Sequence, residues 1–295
     1  MRIALLLALS LCGCAGGGDY TPESTYAKLH TQYPSIRIAS REVPAGVTVQ
    51  RGVAYAGTLK LDLYRPAHGD AAPLVVLVHG GGWRTGRRDN LAAMAIRLAR
   101  RGYAAAAVSY RLSGEARYPA AVDDVREAVR WLRANGAQYR IDPARIALAG
   151  GSAGGQIASL VGVTGSGVQA IVNIDGLSDF TSEAARLHED DPAKNPSAAG
   201  AWFGGRYAEK SALWREASPI FHVTPSTPPV LFIGSAQPRF SVGREEMVAK
   251  LRENGVPADV VLLPDTPHSF WLFDPWLTPT VEAMDAFLSR HFKRR

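Results

Sequence analysis

Gly150-Gly151-Ser152-Ala153-Gly154 sets a serine among small residues, after the apolar stretch 145–149 and before the helix-spaced stretch 153–163. A G-x-S-x-G run in that setting predicts a sharp strand-to-helix turn, with strained backbone angles that small neighbours permit. The turn would lift the Ser152 hydroxyl out of a sheet. The free N–H groups opening the next helix would then face any negative charge that develops beside it. His79-Gly80-Gly81-Gly82-Trp83 follows a second apolar stretch, 74–78. Consecutive glycines let backbone N–H groups come close to a ligand, so Gly81 and Gly82, together with the Ala153 N–H, are expected to form an oxyanion hole. A nucleotide phosphate loop is the rival reading, but the chain lacks G-x-x-x-x-G-K-[ST] and has no G-x-G-x-x-G opening a helix here. His79 is expected to brace the loop rather than act as a base. The chain has seven histidines. His30, His68, His188 and His291 lie in polar or terminal stretches, and His222 precedes a Pro-rich approach to a strand. Only His268, in Asp265-Thr-Pro-His268-Ser-Phe270, follows a strand-like segment downstream of the serine. That place suits it to take the Ser152 proton and return one to a leaving group.

Such a set needs a scaffold that presents several strand ends together. Strand patterns occur at 47–54, 58–64, 73–78, 103–109, 145–149, 168–174, 230–233 and 260–263. In the second of these, Leu59, Leu61 and Leu63 alternate with Lys60, Asp62 and Tyr64. The continuous run Pro73-Leu-Val-Val-Leu-Val78 fits a strand buried on both faces. Helix-spaced apolar residues lie between the strands, for example Val122, Val125, Val129 and Leu132. This alternation predicts an α/β protein with a mostly parallel sheet between helices, whose ligands bind at the carboxyl ends of the strands. Residues 177–229 break the rhythm with Trp202, Phe203, Trp214 and Phe221 among Gly, Pro and Ser. They are expected to form an insertion, either a lid or cap over the site or a packed decoration.

The composition limits the possibilities. A chain of 295 residues with 46% hydrophobic and 20% charged residues is ordinary globular material, neither disordered nor collagen-like. No run of about 18 uncharged apolar residues follows the N-terminus, which excludes a polytopic membrane protein. The net charge is +6 and the isoelectric point about 9.4. The cations are scattered apart from a modest cluster at Arg84, Arg87, Arg88, Arg97, Arg100 and Arg101. A solvated basic surface is expected, with no nucleic-acid partner. The only cysteines, Cys12 and Cys14, fall at the extreme N-terminus, so the folded body has no disulfide, thiol nucleophile or cysteine-based zinc site.

His79 to Trp83, Gly150 to Gly155 and the segment Tyr118-Pro-Ala-Ala-Val-Asp-Asp-Val-Arg-Glu-Ala-Val-Arg-Trp-Leu132 resemble α/β-hydrolases of the esterase/lipase group. The resemblance is to the branch of feruloyl- and acetyl-esterase-like and hormone-sensitive-lipase-like proteins, and it covers about residues 50–295. It implies the α/β-hydrolase fold and hydrolysis of carboxylic esters through an acyl-serine, with no cofactor or metal. The family's usual triad acid follows the penultimate strand in a Gly-x-x-Asp pattern. Here Gly234-Ser-Ala-Gln237 puts an amide at that place, and an amide cannot stabilise imidazolium by charge. Asp175, at the end of the 170–174 strand, is the first replacement. Glu245 and Asp265 are alternatives, and Asp179 lies after the chain has left its strand. Asp123 and Asp124 are expected to stabilise a helix dipole. Trp83, Trp202, Phe203 and Trp271 are expected to wall an acyl or alcohol pocket, with plain core packing as the alternative.

Arg2, the apolar run 3–11 and Cys12-Gly13-Cys14 read as a secretory signal too short to span a bilayer. They resemble the lipobox of bacterial lipoproteins. That implies removal of residues 1–13, lipidation of Cys14, and a tether and edge segment over 14–45 ahead of a hydrolase domain at 46–295. It also implies a place in the bacterial envelope, at the outer membrane given Ala15. The alternative is an ordinary signal peptide on a periplasmic or secreted protein. The expected function is hydrolysis of small or carbohydrate esters, including acetyl or feruloyl groups on plant polysaccharide. An amidase or peptidase with the same machinery, or a non-catalytic envelope binding protein on a degenerate hydrolase scaffold, remains open.

Overall fold

The computed structural model describes residues 19–292. The signal segment and Cys14 lie outside the described residues. The chain opens with α1 (Pro22–Leu29) and β1 (Arg37–Ile38), followed by β2 (Val47–Ala56), β3 (Leu59–Pro66) and β4 (Ala72–Val78). Next come α2 (Ala92–Arg100), β5 (Ala104–Val108), α3 (Ala120–Asn135), β6 (Ile141–Gly151), α4 (Ala153–Val163) and β7 (Ala170–Ile174). Three short helices follow, α5 (Glu183–Glu189), α6 (Ala198–Phe203) and α7 (Tyr207–Glu216). The chain then forms β8 (Val230–Gly234), α8 (Arg244–Glu253), β9 (Ala258–Leu262), β10 (Phe273–Asp274) and α9 (Leu277–His291).

Eight strands form one sheet in the order β2-β3-β5-β4-β6-β7-β8-β9. β3 is antiparallel to both β2 and β5, and every pairing from β5 to β9 is parallel. The apolar run in β4 has the expected cause. Leu74, Val76 and Val78 join a core with α3 and α4 on one face, while Val75 and Leu77 join a core with α2 and α9 on the other. β4, β6, β7 and β8 therefore end side by side, and their carboxyl ends carry the residues singled out above.

In three places the local reading gave way to tertiary contacts. Residues 19–45 do not simply trail as a tether. Thr21 and Ser24 cap α1 reciprocally, Ile36 and Ala39 are buried, and β1 pairs with β10. In β3 the alternation fails at Asp62, which is buried because Arg88 pairs with it at 2.9 Å and the Gly52 N–H donates to it at 2.8 Å. Asp124 is also buried. It accepts two nitrogens of Arg111 at 2.7 and 2.9 Å and the Arg111 backbone N–H at 2.9 Å, so it ties the turn after β5 to α3 rather than only opposing a helix dipole. Asp123 makes an ion pair with Arg126 at the surface.

The segment 177–229 is packed. Phe180, Trp202, Phe203 and Trp214 are buried in the core that also holds α3 and α4. Among the described residues, no helix is long and apolar enough to cross a membrane, and no cluster of three or more His, Cys, Asp or Glu could hold a metal ion.

Candidate active site

Ser152 sits between β6 and α4 with φ 56° and ψ −126°, a region that L-residues rarely adopt. Two backbone hydrogen bonds hold the turn: the Ser152 N–H donates to Ile174 O at 2.8 Å, and the Gln156 N–H donates to Ser152 O at 3.1 Å. The flanking glycines are required by space. A side-chain carbon on Gly150 would come within 2.7 Å of Val78 O, and one on Gly154 within 2.6 Å of His79 O. On Gly151 it would lie 2.8 Å from Trp271 Nε1. The elbow is thus wedged between β4 and the Trp271 ring.

The glycine loop after β4 lies against this elbow, since a carbon added to Gly80 would sit 3.1 Å from Ser152 Cβ. Gly81, Gly82 and Trp83 all have positive φ, at 125°, 59° and 58°. Among the described residues, the N–H groups of Gly81, Gly82 and Ala153 donate to no protein acceptor, which leaves them available to an oxyanion. His79 braces the loop. Its ring stacks on Tyr110 with centroids 4.3 Å apart, its Nδ1–H donates to Gly80 O at 2.9 Å, and the Tyr110 hydroxyl donates to His79 O at 2.8 Å. Burial holds the His79 pKa down at about 4, so the ring is neutral near pH 7.

His268 reaches both partners from the loop after β9. The Ser152 hydroxyl donates to its Nε2 at 2.8 Å, and its Nδ1–H donates to Asp175 Oδ2 at 2.8 Å. Burial pulls the His268 pKa below its ordinary value. Asp175 works against that by hydrogen bond and charge, while Arg239 adds to it. The ring is clamped between Phe240, stacked at 3.4 Å, and Trp271, edge-on at 5.2 Å. Arg239 lies over the Phe240 ring at 4.2 Å.

Asp175 is buried at the end of β7 with φ 53°, a left-handed conformation that Asp tolerates better than most residues. Its N–H donates to Ile233 O at 2.9 Å, and its carboxylate accepts from both the N–H and the hydroxyl of Ser235. The other acids stand apart from the imidazole. Glu245 is exposed on α8 and pairs with Arg244 at 2.8 Å. Asp265 is exposed in a turn three residues ahead of His268. Asp179 accepts from the N–H and hydroxyl of Thr181. Gln237 offers its backbone N–H to Ser235 Oγ at 3.1 Å.

The four aromatic residues expected to wall a pocket are core instead, each less than 5% exposed. Trp83 and Trp202 stack on each other with centroids 5.0 Å apart, and Phe203 packs on Trp214 at 4.8 Å. Mutual packing leaves these rings almost no surface for a ligand, while Trp271 backs the elbow and the imidazole. A cavity of about 510 Å³ lies on the insertion, lined by Arg117, Asp190, Lys194, Ser197 and Arg206, and it includes neither Ser152 nor His268.

Three supporting residues had no motif to announce them. Gln156, fully buried on α4, accepts from Trp83 Nε1–H at 3.0 Å and donates to Ala217 O at 2.8 Å, joining the glycine loop to the end of the insertion. Asn173 accepts the Gly176 N–H at 2.7 Å beneath the Asp175 turn. The Tyr20 hydroxyl donates to Ser269 Oγ at 3.0 Å, beside His268. For Gln156 and Asn173 a buried polar residue inside an apolar element was the available signal, and Tyr20, half-buried ahead of α1, offered none.

A family model described as BD-FAE matches residues 61–242. Esterase LipQ of Mycobacterium tuberculosis is 30% identical over 260 residues, which cover 80% of this chain and 60% of LipQ. The chain thus spans about 60% of that relative's length. A bifunctional GH43-CE protein of Bacteroides eggerthii superposes with a TM-score of 0.72 at 25% identity, over 83% of this chain and 38% of that one. A truncated carbohydrate esterase from gut microbiota superposes with a TM-score of 0.72 at 22% identity, over 88% of this chain and all of that one. The shared architecture is the α/β-hydrolase fold.

Proposed function

The chain belongs to the BD-FAE family, and from that premise we propose that it hydrolyses carboxylic esters through an acyl-serine. The observation that carries this reading is the unbroken line Ser152–His268–Asp175, with both hydrogen bonds at 2.8 Å, beside a glycine loop whose Gly81 and Gly82 N–H groups have no acceptor among the described residues. Ser152 attacks the ester carbonyl as His268 Nε2 takes its proton. Asp175 stabilises the imidazolium, and the N–H groups of Gly81, Gly82 and Ala153 hold the oxyanion. Collapse of the tetrahedral intermediate expels the alcohol, protonated by His268. Water, deprotonated by the same ring, then releases the acid and regenerates the serine. No step calls for a cofactor.

The substrate is an ester with a small acyl group, carried on a small alcohol or on carbohydrate. Ser152 stands part-exposed at the strand ends, and the aromatic residues near it are consumed by packing. Relatives named as esterases favour oxygen esters over amides. The test is a panel of p-nitrophenyl esters, anilides and acetylated or feruloylated polysaccharide, run with labelling by a fluorophosphonate. Wild type is expected to be labelled and to prefer esters, while Ser152→Ala loses about 10⁴-fold or more in kcat and stays folded. A folded wild-type protein that neither takes the label nor cleaves any ester refutes the reading. Export with a lipid on Cys14 belongs to the same proposal, and Cys14→Ser is expected to move the protein from the membrane fraction to the soluble one.

A further inference from the structure

We propose that Ser235 is a positioning residue of this apparatus, holding the Asp175 carboxylate in the orientation that meets His268. The inference rests on the hydrolytic reading above and deepens it. Asp175 ends β7, yet its carboxylate is fastened from the neighbouring strand. Ser235, the residue after β8, is buried and supplies two donors. Its backbone N–H meets Asp175 Oδ1 at 3.0 Å and its hydroxyl meets Oδ2 at 2.6 Å. Oδ2 is also the oxygen that receives His268 Nδ1–H at 2.8 Å.

The direction of the serine proton follows from its other neighbour. The Gln237 N–H donates to Ser235 Oγ at 3.1 Å, which occupies a lone pair and leaves the hydroxyl hydrogen for the carboxylate. A carboxylate on two rotatable bonds would otherwise sample several orientations. Two charge-assisted bonds from a single residue pin both of its oxygens, which is preorganisation of the kind catalysis needs. The site thus uses both strands: β7 supplies the charge and β8 supplies the clamp. The same strand end carries Gln237 in place of a carboxylate.

The clamp also sets how much of the carboxylate's charge reaches the imidazole. The groups facing His268 are Asp175 from the end of β7, Ser152 from the elbow, Arg239 and Phe240 from the turn after β8, and the Trp271 ring from its own loop. Removing the serine hydroxyl frees Oδ2 to act more strongly on His268, so imidazolium becomes easier to form. The acidic limb of kcat/KM then moves to higher pH.

The experiment compares wild type, Ser235→Ala and Ser235→Thr on p-nitrophenyl acetate, with active sites counted by fluorophosphonate so that misfolded protein does not enter kcat. Ser235→Ala keeps the backbone donor. It is expected to lower kcat about 10- to 50-fold, leave KM within about twofold and raise the acidic limb by about half a pH unit, as one lost charge-assisted hydrogen bond implies. Ser235→Thr, which keeps the hydroxyl, is expected to recover kcat to within about threefold of wild type and restore the limb. The proposal is overturned if Ser235→Ala keeps kcat within twofold, or if kcat falls while the limb stays in place, which would mark a structural role alone. Wild type that fails on all esters defeats the esterase reading itself; active wild type with an unchanged Ser235→Ala defeats only this inference.

Discussion

At the ends of β4 and β6 the site is made of backbone. Gly81, Gly82 and Ala153 contribute N–H groups, Ser152 contributes a hydroxyl on a strained turn, and Gly150 and Gly154 are fixed by carbonyl oxygens within van der Waals reach. At the ends of β7, β8 and β9 it is made of side chains. A carboxylate from one strand is held by a hydroxyl from the next and meets an imidazole clamped by Phe240 and Trp271. The backbone half admits few residue choices, because added atoms collide with carbonyls that cannot move. The side-chain half rests on reach between strands, where Asp175 after β7 is held by Ser235 after β8 and meets His268 from the loop after β9.

The comparison predicts that substitutions in the first half are the more damaging. Gly154→Val should abolish turnover and lower folded yield, since the new side chain drives into Val78 and His79 carbonyls. Hydrolysis assays with circular dichroism check this, and a folded, active variant breaks the contrast. In the second half, Asp175→Asn should lower kcat by about 10³- to 10⁴-fold with the fold intact, while Glu245→Gln and Asp265→Asn stay within about twofold. Near-normal turnover by Asp175→Asn would move the acid elsewhere.

The remaining tests concern what joins and tunes the halves. Gln156→Ala leaves the Trp83 N–H and the Ala217 carbonyl buried without partners, and should cost about 2–4 kcal/mol in a denaturant titration. His79 is neutral in the folded chain with a pKa of about 4, below the unfolded value of about 6.5. Between those values the unfolded chain binds more protons. His79 therefore makes stability fall as pH drops from about 6.5 toward 4, by about 2 kcal/mol at pH 5, and His79→Phe should flatten that slope. The smallest effect concerns His268. A base must be neutral, and burial lowers its pKa, so activity should rise with pH along an acidic limb lying below about 6.5.

The two halves were unequally legible. The glycine spacing around Ser152 and Gly81 announced tight turns, because a side chain on Gly150, Gly154 or Gly81 would meet backbone carbonyl oxygens. The apolar runs gave the strand order of the chain and most strand limits within about three residues, although β6 begins at Ile141, four residues ahead of the expected start. Asp175 emerged as the first of three candidate carboxylates without being fixed, since a sequence carries no distance between strands. The aromatic residues stayed ambiguous between pocket wall and core for a related reason: a tryptophan near a motif looks the same whether it faces a ligand or, like Trp202, another tryptophan.

Residue order alone determined the α/β architecture and singled out Ser152, the Gly81–Gly82 loop and His268, because each depends on hydrophobic periodicity or on backbone geometry that few residue types allow. Only tertiary structure decided which acid meets His268, what holds that acid, and that the insertion's rings are core. Those outcomes depend on strand adjacency and side-chain reach across β7 and β8, which chain separation does not encode.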